Sequence, residues 1–145
     1  MAEDPFVPPA GWTFTSDNPP GTAAVALEPP DPQDPGRFRA NLVLTLDAIG
    51  QLSFSDWQNG TDELLPRVLT GYLVVDLEHL SGGDRPAGRR LAAYVGPQGQ
   101  ALTMEQWFTR IGDLGHTLTA TVETVRYDEL ADTFRVTADQ WRLSL

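Results

Sequence analysis

Four apolar stretches between residues 73 and 125 constrain the fold most, because only short glycine-rich turns separate them. Each stretch has the length and the residue content of a β-strand. Connections this short are typical of hairpins, so the stretches predict a sequential antiparallel meander. The predicted strands are residues 73–80, 89–95, 102–111 and 118–125, and the predicted turns are residues 81–84, 96–99 and 112–115.

Prolines dominate the chain before these strands. Nine of the twelve prolines lie between residues 5 and 35. Proline fixes φ and lacks the N–H that a strand ladder needs, so residues 1–36 are predicted to form an extended, proline-rich N-terminal segment. Within it we expect two short edge strands, at residues 12–15 and 23–28.

A longer strand and a helix follow this segment. Apolar residues alternate with mixed ones over residues 38–47, which indicates a strand with one apolar face. Ser55, with Gln58 three residues later, fits a capping box and predicts the start of a helix. Gly60 and Pro66 weaken one continuous helix, so a restart at residues 61–63 is expected, and Gly71 suits the C-terminal cap.

The chain is predicted to end in a second helix over residues 128–140, because its apolar residues recur at helical spacing. Trp12 and Trp141 are expected to close the two ends of the core, and Trp57 to fix the start of the first helix by packing. The fold class is therefore α+β: a curved, mainly antiparallel sheet of six to seven strands, packed on one face by helices, in one domain over residues 1–145.

Two helices are too few to cover both faces of such a sheet, so we expect one face to stay open. The face predicted to be buried carries Leu42, Leu44, Leu91, Leu102, Phe108, Leu118 and Val122. The alternate residues then form the open face, because side chains of a strand point to opposite sides in turn. These alternate residues are Val43, Thr45, Tyr94, Thr103, Glu105, Trp107, Thr119, Thr121 and Glu123.

The open face supplies the candidate partner-binding residues. Tyr94 and Trp107 combine apolar area with a hydrogen-bonding tip, which suits partner anchors. Glu105, Thr119 and Thr121 lie beside them in this prediction. Two interpretations are open: the proline-rich segment folds across Tyr94 and Trp107, or the face binds a protein partner or a second copy of the chain.

The residue types present exclude much of the usual catalytic chemistry. The chain has no Cys, no Lys and only two His, 37 positions apart. Thiol nucleophiles, Schiff-base lysines and zinc–thiolate sites are therefore excluded. Asp76 and Glu78 are predicted to share one strand face while His79 points to the other, which is a poor geometry for one metal ion. We expect no enzyme activity, no catalytic residues, no cofactor and no metal site.

Charge and hydropathy indicate which partners to expect. The formal net charge is −10, which repels nucleic acid. No stretch approaches the roughly 18 apolar residues of a membrane span, so no membrane insertion is expected. The N-terminus is acidic and lacks the features of a signal peptide, so we expect a cytoplasmic protein unless an export signal has been trimmed.

The order of elements resembles a known family. The similarity rests on Pro9-Ala10-Gly11-Trp12, on residues 38–43 and on residues 88–94, 102–107 and 118–121. With these motifs the chain resembles, over about residues 5–143, the LpqN-like family of actinobacterial lipoproteins and stand-alone domains, and more broadly the PsbP, Mog and DcrB-type α/β sandwich. The resemblance implies a scaffold or binding role without catalytic residues. Lipoprotein members carry a lipidated Cys that this chain lacks, so lipid anchoring is not implied.

These observations predict a non-catalytic protein-binding or adaptor module. A secretion-associated chaperone is one version, since Eag-type chaperones of the same broad resemblance hold hydrophobic effector segments on their sheet. The alternative is a small-ligand carrier or hydrolase with a pocket between sheet and helix, and a structural domain without a ligand is a third interpretation that the sequence leaves open. An exposed face with Tyr94 and Trp107 favours the first function, and an enclosed cavity with clustered Asp, His or Ser favours the second.

Overall fold

The computed structural model describes residues 4–81 and 83–145, so residues 1–3 of the proline-rich segment and Gly82 of the predicted turn 81–84 lie outside it. Strands and helices follow the predicted order along the described residues. A single turn of 3₁₀ helix, Thr124–Arg126, precedes the last helix. The elements are β1 (Thr13–Thr15), β2 (Thr22–Leu27), β3 (Asn41–Ala48), α1 (Phe54–Val68), β4 (Thr70–Leu80), β5 (Ala87–Val95), β6 (Ala101–Ile111), β7 (Leu114–Glu123) and α2 (Tyr127–Leu143).

The strands of the described residues form one seven-stranded antiparallel sheet in the order β1-β2-β3-β7-β6-β5-β4. The predicted meander is confirmed, because β4, β5, β6 and β7 pair in sequence. Its last strand, β7, pairs with β3 from Asn41↔Thr121 to Ala48↔Leu114, which joins the meander to the N-terminal strands. The α+β class is confirmed as well. The short β1 and the long β4 form the two edges of the sheet.

The first helix differs from its prediction at both ends. Its N-cap is Ser53, whose side chain accepts a hydrogen bond from the N–H of Asp56, and not Ser55. The helix continues through Gly60 and Pro66 without a restart. Pro66 lies in the last turn, so its missing N–H removes one hydrogen bond close to the end of the helix, where the disruption is small. Gly71 does not cap the helix either; it lies in β4 with φ +64°.

The helices lie on opposite faces of the sheet, so the prediction that both pack on one face is wrong. Successive antiparallel pairs make β3 and β4 run in the same direction, and a connection between such strands must cross a face of the sheet. The crossing element is α1. We call the side that it covers the α1 face, and the opposite side, covered by α2, the α2 face.

The larger core lies on the α2 face. The predicted apolar stripe of α2 is confirmed, with Phe134, Ala138 and Trp141 buried against the sheet. From the sheet, this core receives Ala24, Ala26, Leu42, Leu44, Trp107, Leu118, Ala120 and Val122. The alternation predicted for β3 is therefore confirmed, with Leu42 and Leu44 on the buried side.

The proline-rich segment closes this core at one end. Phe6 is buried and meets Phe14 edge-on, with the ring centroids 5.3 Å apart. Trp12 lies edge-on to Phe134 at 6.4 Å and is partly buried, as expected for a lid. Because Phe6 belongs to the same cluster as Trp107, the segment contributes to the core that covers that side chain.

A smaller aromatic core fixes α1 to its face. Trp57, Phe108 and Ile49 are buried together, and Phe54 packs against them. The predicted packing role of Trp57 is confirmed, since its ring lies directly over the backbone of Gly115 in β7. This cluster fixes the N-terminal half of α1, and the next turns of the helix lie beside β4.

Candidate interaction surface

The five predicted partner-binding residues do not share one open face. Trp107, predicted to be exposed, is 2% exposed and lies in the core beneath α2. Glu105 lies on the same α2 face and is buried as well. The prediction reversed the two faces of β6, because that strand carries apolar residues on both. Leu102 and Phe108, predicted for the same face as Leu42, are buried on the α1 face instead.

Glu105 takes part in a buried polar network. Its Oε2 accepts a hydrogen bond from Nε of Arg89 at 2.6 Å, and its Oε1 accepts one from the Tyr127 hydroxyl at 3.0 Å. Burial works against the charge of Arg89, but Glu105 outweighs it and raises the pKa of the guanidinium. Burial, followed by the charge of Glu105, raises the pKa of Tyr127 to about 12. The network joins β5, β6 and α2, which is a structural role.

Tyr94, Thr119 and Thr121 lie on the α1 face, where they are half-buried or buried. Burial raises the pKa of the Tyr94 phenol, and a hydrogen bond with Thr121 acts in the opposite direction. The hydroxyl of Thr119 accepts a hydrogen bond from Nε2 of Gln106 at 3.1 Å. These side chains therefore already have partners within the sheet.

A group of exposed apolar side chains lies along β4. This edge strand has 11 residues, and among the described strands it pairs only with β5. Four consecutive or nearly consecutive apolar side chains on it face solvent: Leu73 is 64%, Val74 42%, Val75 61% and Leu77 49% exposed. The register shifts between Thr70 and Leu73 and again between Val74 and Asp76. The second shift brings an extra residue into the strand, which breaks strict alternation and exposes apolar residues on both sides.

The C-terminal half of α1, which lies beside β4, exposes two further large apolar side chains. Leu64 and Val68 are exposed large apolar residues one helical turn apart. The spacing of Leu64, Leu65, Val68, Leu69 and Tyr72 predicts one apolar stripe on this helix, but only the N-terminal half of α1 reaches a core. We call Leu64, Val68 and the four apolar residues of β4 the β4–α1 surface. In the sequence these β4 residues include three apolar residues in a row, Leu73-Val74-Val75, a pattern that equally fits a strand buried on both faces.

Two carboxylates line the same edge. Asp76 and Glu78 share the α2 face, as predicted, and both contact Nη1 of Arg89, at 3.1 and 3.4 Å. His79 pairs with Gly88 and points to the α1 face. The three side chains therefore lie on the faces that the sequence predicted, and the two carboxylates form ion pairs with Arg89.

A cavity of about 240 Å³ lies between α1 and β4–β5. Asp62, Ser55 and His79 are among its lining residues, together with the buried Arg90. No hydrogen bond joins Ser55, His79 and Asp62 in the described part of the chain. Asp62 instead forms an ion pair with Nη2 of Arg90 at 2.7 Å.

A second buried ion pair supports the fold away from this surface. Arg126 binds both carboxylate oxygens of Glu28, at 2.7 and 2.9 Å. The N–H of Ala40 also donates to Glu28. Burial would raise the pKa of Glu28, but these partners outweigh it and lower the pKa. The pair joins β2 to the start of α2.

Within residues 4–81 and 83–145, neither helix is long and apolar enough to cross a membrane.

Comparisons with known proteins show the fold. No protein-family model and no curated protein sequence matches the chain. Among solved structures, LpqN of Mycobacterium tuberculosis, described as involved in cell envelope biogenesis, matches with a TM-score of 0.68 and 20% identity, covering 93% of this chain and 79% of LpqN. The cyanobacterial PsbP of Synechocystis sp. PCC 6803 matches with a TM-score of 0.63 and 15% identity, covering 93% and 83%.

A third solved structure is similar. It is PA94 of Pseudomonas aeruginosa, a protein of unknown function described as a putative regulator, with a TM-score of 0.69 and 15% identity, covering 89% of this chain and 81% of PA94. The chain therefore has a PsbP/LpqN-like fold, as the resemblance implied. Identities of this size establish the fold alone.

Proposed function

We propose that this protein is a non-catalytic binding module that accepts an extended segment of a partner protein along the edge of β4. One observation carries the proposal: an 11-residue edge strand, paired on one side only, exposes four large apolar side chains. The free edge of a strand presents unpaired N–H and C=O groups, which template the addition of another strand.

The two sheet edges differ in a way that supports this function. Natural proteins protect edges by shortening them, by β-bulges that twist the edge away, or by placing Lys, Pro or inward-pointing charges on them. The edge at β1 is short, with three residues. β4 is long and has neither Lys nor Pro. Its two register shifts add twist, but its charges, Asp76 and Glu78, are held by Arg89 on one face.

Charge favours a basic, apolar partner segment over a second copy of the chain. The net charge of −10 makes two copies repel each other, whereas it attracts a cationic segment. Alternate side chains of an added strand point to the two faces. On the α1 face they would meet Val74 and Leu77, and on the α2 face they would lie beside Leu73, Asp76 and Glu78.

A chaperone role is a specific version of the same proposal. An apolar client segment would cover the β4–α1 surface until it is delivered, which accounts for exposed Leu64 and Val68 beside the strand. LpqN, the similar structure described as involved in cell envelope biogenesis, offers one setting for such a role. This version predicts that clients contain an apolar β-forming segment flanked by Lys or Arg.

Site-specific photo-crosslinking in the native host tests the proposal. A photoreactive residue at Val75 is expected to capture a partner that mass spectrometry identifies, through a segment of basic and apolar residues. The matched control is the same residue at Val125, an apolar side chain that is 87% exposed away from the β4 edge. Equal capture from both positions would contradict the proposal.

The isolated partner segment then gives an affinity. Val75→Lys removes apolar area and adds a charge that repels a basic segment, so we expect binding to weaken at least about tenfold. Val125→Lys adds the same charge elsewhere and is expected to change binding much less. Light scattering measures whether the protein forms a dimer through the same edge. If it finds a stable dimer and Val75→Lys dissociates that dimer, the edge binds a second copy of the chain.

A further inference from the structure

Two carboxylates lie side by side on the edge strand of the proposed binding surface. Asp76 and Glu78 are two residues apart in β4 and pair with Leu91 and Arg89, so both side chains are on the α2 face. The side chains are 55% and 47% exposed. A strand added at this edge would bring its own α2-face side chains alongside both carboxylates.

The cation that these two acids share is also bound to a third carboxylate. Arg89 donates from Nε to the buried Glu105 at 2.6 Å, and its Nη1 contacts Asp76 at 3.1 Å and Glu78 at 3.4 Å. Three carboxylates and one guanidinium give this group a formal net charge of −2. The shortest contact is with Glu105, so the surplus negative charge lies on the two exposed acids at the edge.

The opposite face of the same part of β4 is apolar. Leu77 lies between the two acids in sequence and pairs with Arg90, which places its exposed side chain on the α1 face. Val74 is exposed on that face as well. Side chains of an added strand alternate between the faces, so successive partner residues meet an acidic row and an apolar row in turn.

We infer that the partner segment contains two Lys or Arg residues separated by one apolar residue, and that this triplet lies opposite residues 76–78. The two cations lie beside Asp76 and Glu78, and the apolar residue between them packs beside Leu77. The triplet reads the same in both directions, so the pattern holds for a parallel or an antiparallel added strand. It rests on the strand addition proposed above and names the residue order that the edge selects.

Order within the segment separates this pattern from attraction by net charge alone. A partly exposed ion pair is individually weak, and a general attraction to a chain of charge −10 does not depend on where the cations are. Two such pairs in register with an apolar contact favour the alternating order over other orders of the same residues. Composition and order can therefore be tested separately.

Two peptides of one composition make this test. Acetyl-Thr-Val-Lys-Val-Lys-Val-Thr-amide has the alternating order, and acetyl-Thr-Val-Val-Val-Lys-Lys-Thr-amide has the same residues and charge in blocks. In ¹H–¹⁵N NMR titrations, the alternating peptide is expected to shift the amide signals of residues 70–80 and to bind about tenfold more tightly than the block peptide. Equal affinities, with both peptides shifting the β4 signals, would overturn the alternating pattern and leave strand addition standing. If neither peptide shifts these signals, strand addition itself is contradicted.

Substitution of the two acids locates the preference. Asp76→Asn combined with Glu78→Gln removes both charges at nearly unchanged size, so the two peptides are expected to bind with about equal affinity. The matched control is Asp17→Asn combined with Asp47→Asn, which removes two exposed charges outside β4 and should keep the tenfold preference. A preference that survives the first pair of substitutions would reject the role of these acids. If that variant does not fold, the two peptides on the unchanged protein still decide between the orders.

Discussion

Two glycines determine how closely aromatic side chains approach the sheet. Gly88 lies under the ring of Phe108, and Gly115 lies under the ring of Trp57. A Cβ at either position would overlap the ring. The small core beneath α1 therefore depends on the absence of two side chains as much as on the presence of aromatic ones.

Gly88→Ala tests this close approach. The added methyl group forces Phe108 or the backbone to move, so we expect a loss of about 1–3 kcal/mol in the free energy of unfolding, measured in urea. Gly60→Ala is the matched control. Nothing lies within 4 Å of a Cβ there, and the position is inside α1. It should gain about 0.4–1 kcal/mol. Equal effects of the two substitutions would contradict the packing described for Phe108.

Trp107 distinguishes a core role from a binding role. Because the side chain is buried beneath α2, Trp107→Ala is expected to cost about 3–5 kcal/mol of stability, measured by urea unfolding. Trp12→Ala, at a partly buried position of the same cluster, should cost less. A stable Trp107→Ala protein that has lost only partner binding would restore the open-face interpretation.

At the scale of elements, local sequence patterns predict the position of most strands and helices, but they do not predict which face of the sheet each side chain or helix occupies. The meander, the long β3 and the stripe of α2 were predictable, because turns and periodicity are local properties. The faces of β6 were not, since apolar residues on both sides of a central strand leave no alternation to read. Nor was the place of α1, because its face depends on the direction of β3 relative to β4, which only the sheet order determines.

The β4–α1 surface was missed for a related reason. A register shift between Val74 and Asp76 interrupts the alternation of β4. The cavity brings together residues of α1, β4, β5 and β6 that lie up to 54 positions apart, so no local pattern contains it. The basic run that contains Arg85, Arg89 and Arg90 predicts a solvated turn leading into a strand, but the side chain of Arg90 is buried.

Position in the sheet predicts how tightly each strand holds its amide hydrogens. β7 has hydrogen-bonded neighbours on both sides, β3 and β6, whereas β4 has one. Hydrogen exchange of the free protein should therefore be slowest in β7 and much faster in β4, because edges open locally at lower free energy. Equal protection of β4 and β7 in the free protein would mean that the edge is already covered, as in a dimer.

The whole chain has an unusually simple alkaline titration. All ten cationic side chains are Arg, and Lys and Cys are absent, so only the three tyrosines among the side chains titrate near pH 10. Burial is the largest cause of a raised pKa at Tyr72, Tyr94 and Tyr127, and the pKa of Tyr127 is raised to about 12. Because these pKa values are raised in the folded state, the protonated phenols contribute to the free energy of unfolding. That contribution is fully present below pH 10 and is lost as the pH rises toward 12.

Ultraviolet absorbance measures this titration. In the folded protein the phenolate signal should appear above pH 10, and in urea it should return to about pH 10. Tyr127→Phe should remove the component near pH 12. A folded protein whose three tyrosines ionise together at pH 10 would contradict the burial described for them.

The molecule as a whole has two covered faces, one protected edge and one exposed edge. Hydrogen exchange of the complex with the crosslinked partner segment tests the role of the exposed edge most directly. We expect the segment to slow exchange mainly in residues 70–80 of β4, with little change in β1 and α2. Protection elsewhere, with β4 unchanged, would show that the partner binds another surface and would contradict strand addition.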